Sequence, residues 1–453
     1  MPGYQFHPLF KQKIWDGNIR LYSNKTNLLY AGLRHYVERF CEEREYEHEY
    51  SFDTSRREFS VVEAKEFIAK LKLPDHIEVR DYQIKAFVEC VRDGRMLILS
   101  PTASGKSLII YILMRFYAEK SLFVVPTIGL VHQLYSDFES YGFKSDKYCF
   151  KIYQGTGTET KKQILISTWQ SIYKLPKTFY DNIKLIVVDE AHLATAKSLK
   201  DIMEKATDCY NRFGFTGTLD GTQTHKLVLE GLFGRVFKTA STTELIDAGH
   251  LSEFKIKALL LKHPEISCKL LKGSTYSDEI DYLVSSAARN TFIKNLALSL
   301  EGNTLILFRL VEKHGKLLYD EIKAAVGETR SVYYIHGGVD GQERDDMRKI
   351  IETENNAIIV ASYGTFSTGI NIVALRNLIF ASPYKGRIKV LQSIGRVLRK
   401  GEGHDQAVLF DIADDLSYKK HNNHTLKHFM ERIKIYHQEK FNPKIYKINL
   451  KES

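Results

Sequence analysis

The sequence predicts an α/β protein: two tandem, doubly wound parallel-sheet domains, preceded by a small N-terminal α+β module and followed by a basic C-terminal extension. Three observations predict it. From residue 80 onward, short apolar runs alternate with segments of helix length. The runs are apolar at successive positions and rich in β-branched residues, as expected of parallel strands buried on both faces. They also fall into two groups, which at roughly 100 to 200 residues per domain suits a chain of 453 residues. The expected limits are 1–78 for the N-terminal module, 79–250 for the first domain, 251–415 for the connector with the second domain, and 416–453 for the extension.

The N-terminal module is expected to open with a β-hairpin. Lys13-Ile14-Trp15 and Asn18-Ile19-Arg20-Leu21 flank Asp16-Gly17, a dipeptide suited to a two-residue turn. A charged stretch from Glu38 to Glu49 reads as a solvated helix face. The first group of strands is Met96–Leu99, Leu122–Val125, Ile164–Ile166 and Leu185–Val188; the second is Thr304–Phe308, Ile358–Val360 and Leu378–Phe380. Between the groups, residues 235–290 contain a helix ending at Gly249, an isolated strand at Phe254–Leu261 and the polar stretch Lys272-Gly273-Ser274-Thr275, and read as a connector.

Composition excludes several classes. Hydrophobic residues at 43% and charged residues at 26% are those of a packed globular chain, not of a disordered or fibrous one. The cysteines Cys41, Cys90, Cys149, Cys209 and Cys268 are odd in number and widely spaced, which argues against a disulfide framework or a zinc cluster and for a reducing compartment. The start, Met1-Pro2-Gly3-Tyr4-Gln5, lacks the features of a signal peptide, and no run has the length of a membrane span. A cytoplasmic protein without membrane contact is expected. The net charge is +10, and residues 419–453, with nine Lys or Arg against three Glu, supply +6 of it. A polyanionic partner fits this balance.

The first chemical signal is Ser100-Pro101-Thr102-Ala103-Ser104-Gly105-Lys106-Ser107, set between a strand and the helical pattern Leu108–Ala118. A loop that ends in Gly-Lys-Ser and opens a helix can hold a triphosphate. Backbone N–H groups through Thr102, Ser104 and Gly105 cradle the anion, Lys106 reaches the β and γ phosphates, and Ser107 faces Mg²⁺. Ser100 stands where the usual pattern has a glycine. Two similar fragments read differently: Gly315-Lys316 is followed by Leu317, which has no hydroxyl for a metal, and is expected in plain helix, while Gly155-Thr156-Gly157 is expected in a turn.

The second signal is Asp189-Glu190-Ala191-His192 at the carboxyl end of the strand Leu185–Val188. Asp189 suits metal binding and Glu190 the positioning of an attacking water, against the plainer reading of two solvated strand-end acids. The third is Gln392-Ser393-Ile394-Gly395-Arg396-Val397-Leu398-Arg399, in which Gln392, Arg396 and Arg399 share one helix face by their i, i+4, i+7 spacing. Such a face could serve solubility; beside a nucleotide site it suits arginine fingers.

With these motifs in order, the sequence resembles the superfamily 2 helicases along nearly its whole length. Ser100–Ser107 resembles their motif I, Asp189–His192 motif II and Gln392–Arg399 motif VI. Arg80 with Tyr82-Gln83 resembles the adenine-reading motif. Pro126-Thr127 with Leu130 and Gln133 resembles motif Ia, Ser167-Thr168-Trp169-Gln170-Ser171 the following strand-contact motif, and Thr216-Gly217-Thr218 motif III. Leu307-Phe308-Arg309, His336-Gly337-Gly338 and Thr365–Asn371 resemble motifs IV, IVa and V. A narrower likeness is to the phage UvsW-type recombination and repair helicases, on Phe6-x-Pro8-x-Phe10, Trp15-Asp16-Gly17-x-Ile19-Arg20-Leu21, Ala361-Ser362-Tyr363-Gly364 and Gln392–Lys400.

The resemblance implies two RecA-like domains that close over ATP and Mg²⁺. It implies that Arg80, Gln83, His192 and Gly369 contact or sense the nucleotide with Gln392, and that Arg396 and Arg399 meet the γ-phosphate. It also implies DNA backbone contacts from Thr127, Gln133, Thr168, Gln170, Arg309 and Thr368. Trp169 could stack on a base, but packing is the favoured reading. The implied activity is ATP-dependent remodelling of branched or forked DNA by a monomer, in the host cytoplasm for a phage protein. The alternatives are duplex translocation without strand separation, RNA unwinding, and a scaffold without ATPase chemistry; the last is disfavoured because Lys106, Asp189, Glu190 and Arg396 are all present. The basic tail either holds a second duplex arm or is a solvated terminal helix.

Overall fold

The computed structural model describes residues 4–451 apart from 7, 51–55, 194–195, 218, 220–222, 340–345, 348–349, 352, 368–374, 384–385, 387–393 and 396–405. It divides into two compact units, Met1–Ser100 with Gly105–Thr239, and Pro101–Ser104 with Ala240–Ser453.

The first unit is built on a seven-stranded, all-parallel sheet. Its strands are β3 (Arg95–Leu99), β4 (Ser121–Val125), β5 (Cys149–Ile152), β6 (Ile164–Thr168), β7 (Leu185–Val188), β8 (Asn211–Thr216) and β9 (Val236–Lys238), in the order β5-β6-β4-β7-β8-β3-β9. The expected apolar runs are the central strands. Every residue of β4, β6 and β7 is buried, which requires helices on both faces. One face packs on the helices Asp81–Asp93, Lys106–Tyr117 and Ile128–Ser140, the other on Ala196–Lys205 and Gln223–Phe233. Because all strands run the same way, the loops after β3, β4, β6, β7 and β8 share the carboxyl edge of the sheet, where open α/β sheets bind ligands.

The N-terminal segment docks on this unit. Its ladder pairs β1 (Tyr22–Ser23) with β2 (Leu28–Leu29), later in the chain than the expected hairpin. At Asp16-Gly17 the chain instead makes a side-chain-capped turn. Asp16 Oδ1 accepts from Asn18 N at 3.1 Å, Trp15 Nε1 donates to Asn18 O at 2.8 Å, and Gly17 takes φ +82°. The Asp side chain thus takes up the N–H that a ladder would have used. The expected charged helix is shorter, Arg34–Glu42, with no buried residue. Before it, Gly32 lies against the backbone of the helix Gln223–Phe233, so near that a Cβ would sit 2.0 Å from Glu230 O. Tyr36 Oη donates to Glu230 Oε2 at 2.9 Å and Tyr30 Oη to Glu204 Oε1 at 2.8 Å.

The second unit is a seven-stranded parallel sheet of β10 (Glu253–Lys262), β11 (Asn303–Phe308), β12 (Val332–Ile335), β13 (Ile358–Ser362), β14 (Leu375–Phe380), β15 (Gln406–Asp415) and β16 (Lys444–Asn449). Their order is β12-β13-β11-β14-β15-β10-β16. The strand expected to stand alone in a connector is β10, paired with β15 over ten residues and with β16 on its other side. The expectation of a connector strand is therefore corrected: it lies within the sheet, and the tail supplies its neighbour. The tail helix His424–Gln438 buries Phe429, Arg432, Ile435 and Tyr436, so one of its faces is core, not solvated. Gly315 differs too: it lies in a single π-helical stretch, Val311–Lys316, buried against the Phe308 ring. All five cysteines carry free thiols, and no helix among the described residues is long and apolar enough to cross a membrane.

A candidate nucleotide site at the carboxyl edge of the first sheet

The loop Ser100–Gly105 leaves β3 and opens the helix Lys106–Tyr117. Ser100 is fully buried, its N–H donates to Thr216 O at the end of β8 (2.9 Å), and its hydroxyl accepts from Thr239 Oγ1 at 2.9 Å. Its backbone is not left-handed, which explains why serine serves where glycine is usual. The left-handed residues are Ala103 (φ +66°) and Gly105 (φ +74°). At Gly105 a side chain is excluded twice: by φ, and because a Cβ would lie 2.5 Å from the Gln83 amide. That amide donates to Gly105 O at 3.3 Å, while Gln83 Oε1 accepts from Arg80 N at 2.9 Å. Ser104 Oγ donates to Pro101 O at 2.7 Å. Gln83, with Arg80 beside it, is thereby tied to the start of the helix, and Thr102 lies in the same loop.

The acids follow β7. Asp189 N donates to Val124 O, and Asp189 Oδ1 accepts from Glu190 N at 2.9 Å. Glu190 has φ +48°, a left-handed conformation in a residue with no intrinsic taste for it. Such strain persists where surroundings fix it, and it clusters at functional sites. The consequence is a carboxylate aimed between the Lys106 ammonium and the His192 ring. Lys106 Nζ lies 3.7 Å from Glu190 Oε1, and His192 Nδ1 lies 3.4 Å from Oε2. His192 Nδ1 also shares a 2.7 Å hydrogen bond with Thr216 Oγ1, and Lys106 Nζ donates to Ser100 O at 3.4 Å. The ends of β3, β7 and β8 are thus joined through Lys106, Glu190, His192 and Thr216.

Enclosure by protein, with the Glu190 carboxylate next to it, pushes the Asp189 carboxyl up to about 7 against the pull of Lys106. An oxygen donor whose burial no cation fully offsets, together with the Ser107 hydroxyl at the helix start, fits a hard divalent ion. Ser107 Oγ shares a 2.8 Å hydrogen bond with Tyr141 Oη, from the residue that ends the helix Ile128–Ser140. Sequence reasoning missed Tyr141, because its reach to Ser107 depends on tertiary packing and leaves no local signal.

The expected backbone contacts of this unit lie at or just beyond the carboxyl ends of the neighbouring strands β4 and β6. Thr127 follows β4 and caps the helix Ile128–Ser140 by accepting from Leu130 N at 3.3 Å; Gln133 lies on that helix, partly exposed. Thr168 ends β6, its hydroxyl 2.9 Å from Ser171 Oγ, and the exposed Gln170 donates to Pro126 O at 3.3 Å. Trp169 is buried in the core, as favoured. In the second unit Arg309 follows β11 and is exposed, its guanidinium donating to Tyr276 Oη at 3.0 Å. Gln392, Arg396, Arg399, Thr368 and Gly369 lie outside the described residues.

Three family models match the chain: "DNA helicase UvsW, N-terminal" over residues 1–52, "Type III restriction enzyme, res subunit" over 76–221, and "Helicase conserved C-terminal domain" over 287–401. A relative from Enterobacteria phage T4, the ATP-dependent DNA helicase uvsW, is 35% identical over 473 aligned positions that cover 99% of this chain and 93% of its own length. The DNA 3'-5' translocase XPB2 of Sulfurisphaera tokodaii is 23% identical over 75% of this chain and 82% of its own. Among solved structures, the DUF1998 helicase MrfA bound to DNA has the same fold, with a TM-score of 0.61 at 15% identity over 87% of this chain and 56% of that one. The end-to-end likeness to the phage T4 protein, with the motif geometry above, settles the kinship: the chain belongs to the UvsW family of superfamily 2 DNA helicases.

Proposed function

We propose that this protein hydrolyses ATP with Mg²⁺ to drive the remodelling of branched DNA: fork regression, junction migration, or unwinding of R-loops and D-loops. The observation that carries the nucleotide reading is Glu190, held on left-handed backbone between Lys106 and His192 at the end of β7. Lys106 neutralises the β and γ phosphates, and Glu190 orients the attacking water. His192, bonded to Thr216, is placed to sense whether Glu190 is engaged. Ser107 and Asp189 would hold Mg²⁺, which when bound supplies positive charge to the developing phosphate oxygens. Gln392 and Gly369 complete the nucleotide contacts, and Arg396 and Arg399 act on the γ-phosphate as arginine fingers.

Thr127, Gln133, Thr168, Gln170, Arg309 and Thr368 carry hydroxyl, amide and guanidinium groups, which grip phosphates and not base edges, so the motor runs on any sequence. The limits 1–78, 79–250, 251–415 and 416–453 are our working division for truncations. The test compares ATP turnover on single-stranded DNA, duplex, a four-way junction and RNA, with the parent and with Lys106→Ala and Glu190→Gln. Greatest stimulation by the junction is expected, with both variants inactive yet still binding DNA. Preferential stimulation by RNA defeats the substrate assignment, and parental turnover in either variant defeats the site.

A further inference from the structure

At the opposite end of the first sheet from Lys106, two arginines meet, neither of them in an ion pair with an acid among the described residues. Arg95 begins β3, and Arg212 is its direct partner on β8, so both side chains leave the same face of the sheet. Arg212 is buried, and its Nε and Nη2 donate to the carbonyls of Cys209 (2.9 Å) and Ala206 (2.7 Å). Arg95 lies over the Tyr210 ring, 5.2 Å from its centroid, and its buried Nε has no hydrogen-bond partner. Burial first, then the charge of Arg212, lowers the Arg95 pKa to about 10. Two like charges in a low-dielectric setting are costly unless an anion joins them.

A cavity of about 790 Å³ opens beside them, between the β1–β2 hairpin and the sheet. Its size is that of a small-molecule site. Arg95 and Arg212 form its floor, Lys25 and Lys200 add charge, and Tyr22 and Tyr30 line it with Leu21, Leu28 and Met203. One acid lines it, Glu204, and that carboxylate is engaged by the Tyr30 hydroxyl at 2.8 Å and by Lys200 at 3.6 Å. Tyr22 keeps 46% of its surface exposed, offering a ring face on which a base can stack.

We propose that this cavity is a second phosphate-recognition site, in which Arg95, Arg212, Lys25 and Lys200 hold the phosphate of one nucleotide unit and the tyrosine-lined wall takes its base. It is distinct from the Lys106 site and does not rest on it. The unit comes either from a free nucleotide or from a DNA strand; the recognition chemistry is the same.

The experiment uses the full chain and two probes, N-methylanthraniloyl-ADP and a short fluorescein-labelled oligothymidylate, each titrated by anisotropy in a Lys106→Ala background. Lys25→Glu with Lys200→Glu places the reversal on side chains at the cavity. Lys255→Glu with Lys269→Glu makes the same charge change in the second unit as the control. The cavity variant is expected to lose about tenfold in affinity for at least one probe while the control does not, and Tyr22→Ala to weaken the same probe. Loss for the ADP probe identifies a free nucleotide; loss for the oligonucleotide alone identifies a strand. Equal affinities of both probes for the two double variants overturn the proposal. Normal ATP turnover by Lys106→Ala alone would count against the catalytic assignment and leave this one intact.

Discussion

The hydrogen bond shared by Ser107 and Tyr141 is where single atoms bear on the proposed metal site. If the Ser107 hydroxyl gives its proton to Tyr141 Oη, 2.8 Å away, its lone pairs turn to the cation. Tyr141→Phe removes the acceptor with little change of shape, so about 1 kcal/mol, or roughly fivefold, of Mn²⁺ affinity should go. The readout is Mn²⁺ binding by electron paramagnetic resonance in the presence of ADP, which involves no turnover. The same titration reports Asp189. Its carboxyl, pushed up to about 7, must shed a proton to take a metal, so affinity should fall about tenfold per pH unit below pH 7 and flatten above it. Tyr141→Phe should shift that curve down without moving its bend; a moved bend would mean that Tyr141 acts through Asp189. Ser100, by contrast, was legible as a departure from the usual loop but not as a harmless one, because that depends on its φ.

At the scale of elements, the sequence yielded the strands that are continuous apolar runs and missed the shorter or polar-interrupted ones, β5, β8, β9, β12, β15 and β16. β15 is the clearest loss. Its run Gln406–Asp415 includes Asp411 and Asp414, both fully buried, which no count of apolar residues marks as a central strand. Each acid has its arginine. Arg432 forks onto both oxygens of Asp411 at 2.8 to 3.0 Å, and Tyr436 Oη donates to it at 2.8 Å. Arg289 and His263 engage Asp414 and outweigh its burial, holding that carboxyl well below the usual range. Glu279, also buried, receives the His424 and Thr425 N–H groups at 2.7 and 2.9 Å and so caps the tail helix from another helix. The +6 of the tail suits either a second duplex arm or a solvated helix, yet one of its cations, Arg432, is internal. Arg432→Met should leave Asp411 buried and uncompensated, at a cost of about 3–5 kcal/mol in urea unfolding. Adding Asp411→Leu should recover most of it. A tail that merely hung from the surface would show no loss in the single variant.

For the whole molecule, two sheets of the same build carry unequal chemistry. The first bears the phosphate loop and the acids; the second, at the matching place after β10, has His263 and Pro264 ahead of the helix Glu265–Leu270 and no Gly-Lys-Ser loop, and its Gly315-Lys316 pair follows β11, the counterpart of β4. That asymmetry was legible in the sequence, because a Gly-Lys followed by Leu317 cannot hold a metal through a hydroxyl. On the function proposed above the second domain completes the reaction, and Arg396 is the side chain on which this division of labour can be tested. An arginine acting only on the transition state changes turnover and not ground-state binding. Arg396→Ala should therefore lower kcat by about 10³ to 10⁵ while ATP affinity, read by a fluorescent analogue, stays near the parental value. Arg396→Lys should not restore it, since the planar fork and not the charge is the working part. A variant that bound ATP weakly but turned it over at the parental rate would make Arg396 a docking contact, and the motor would then need another source for the charge that meets the γ-phosphate.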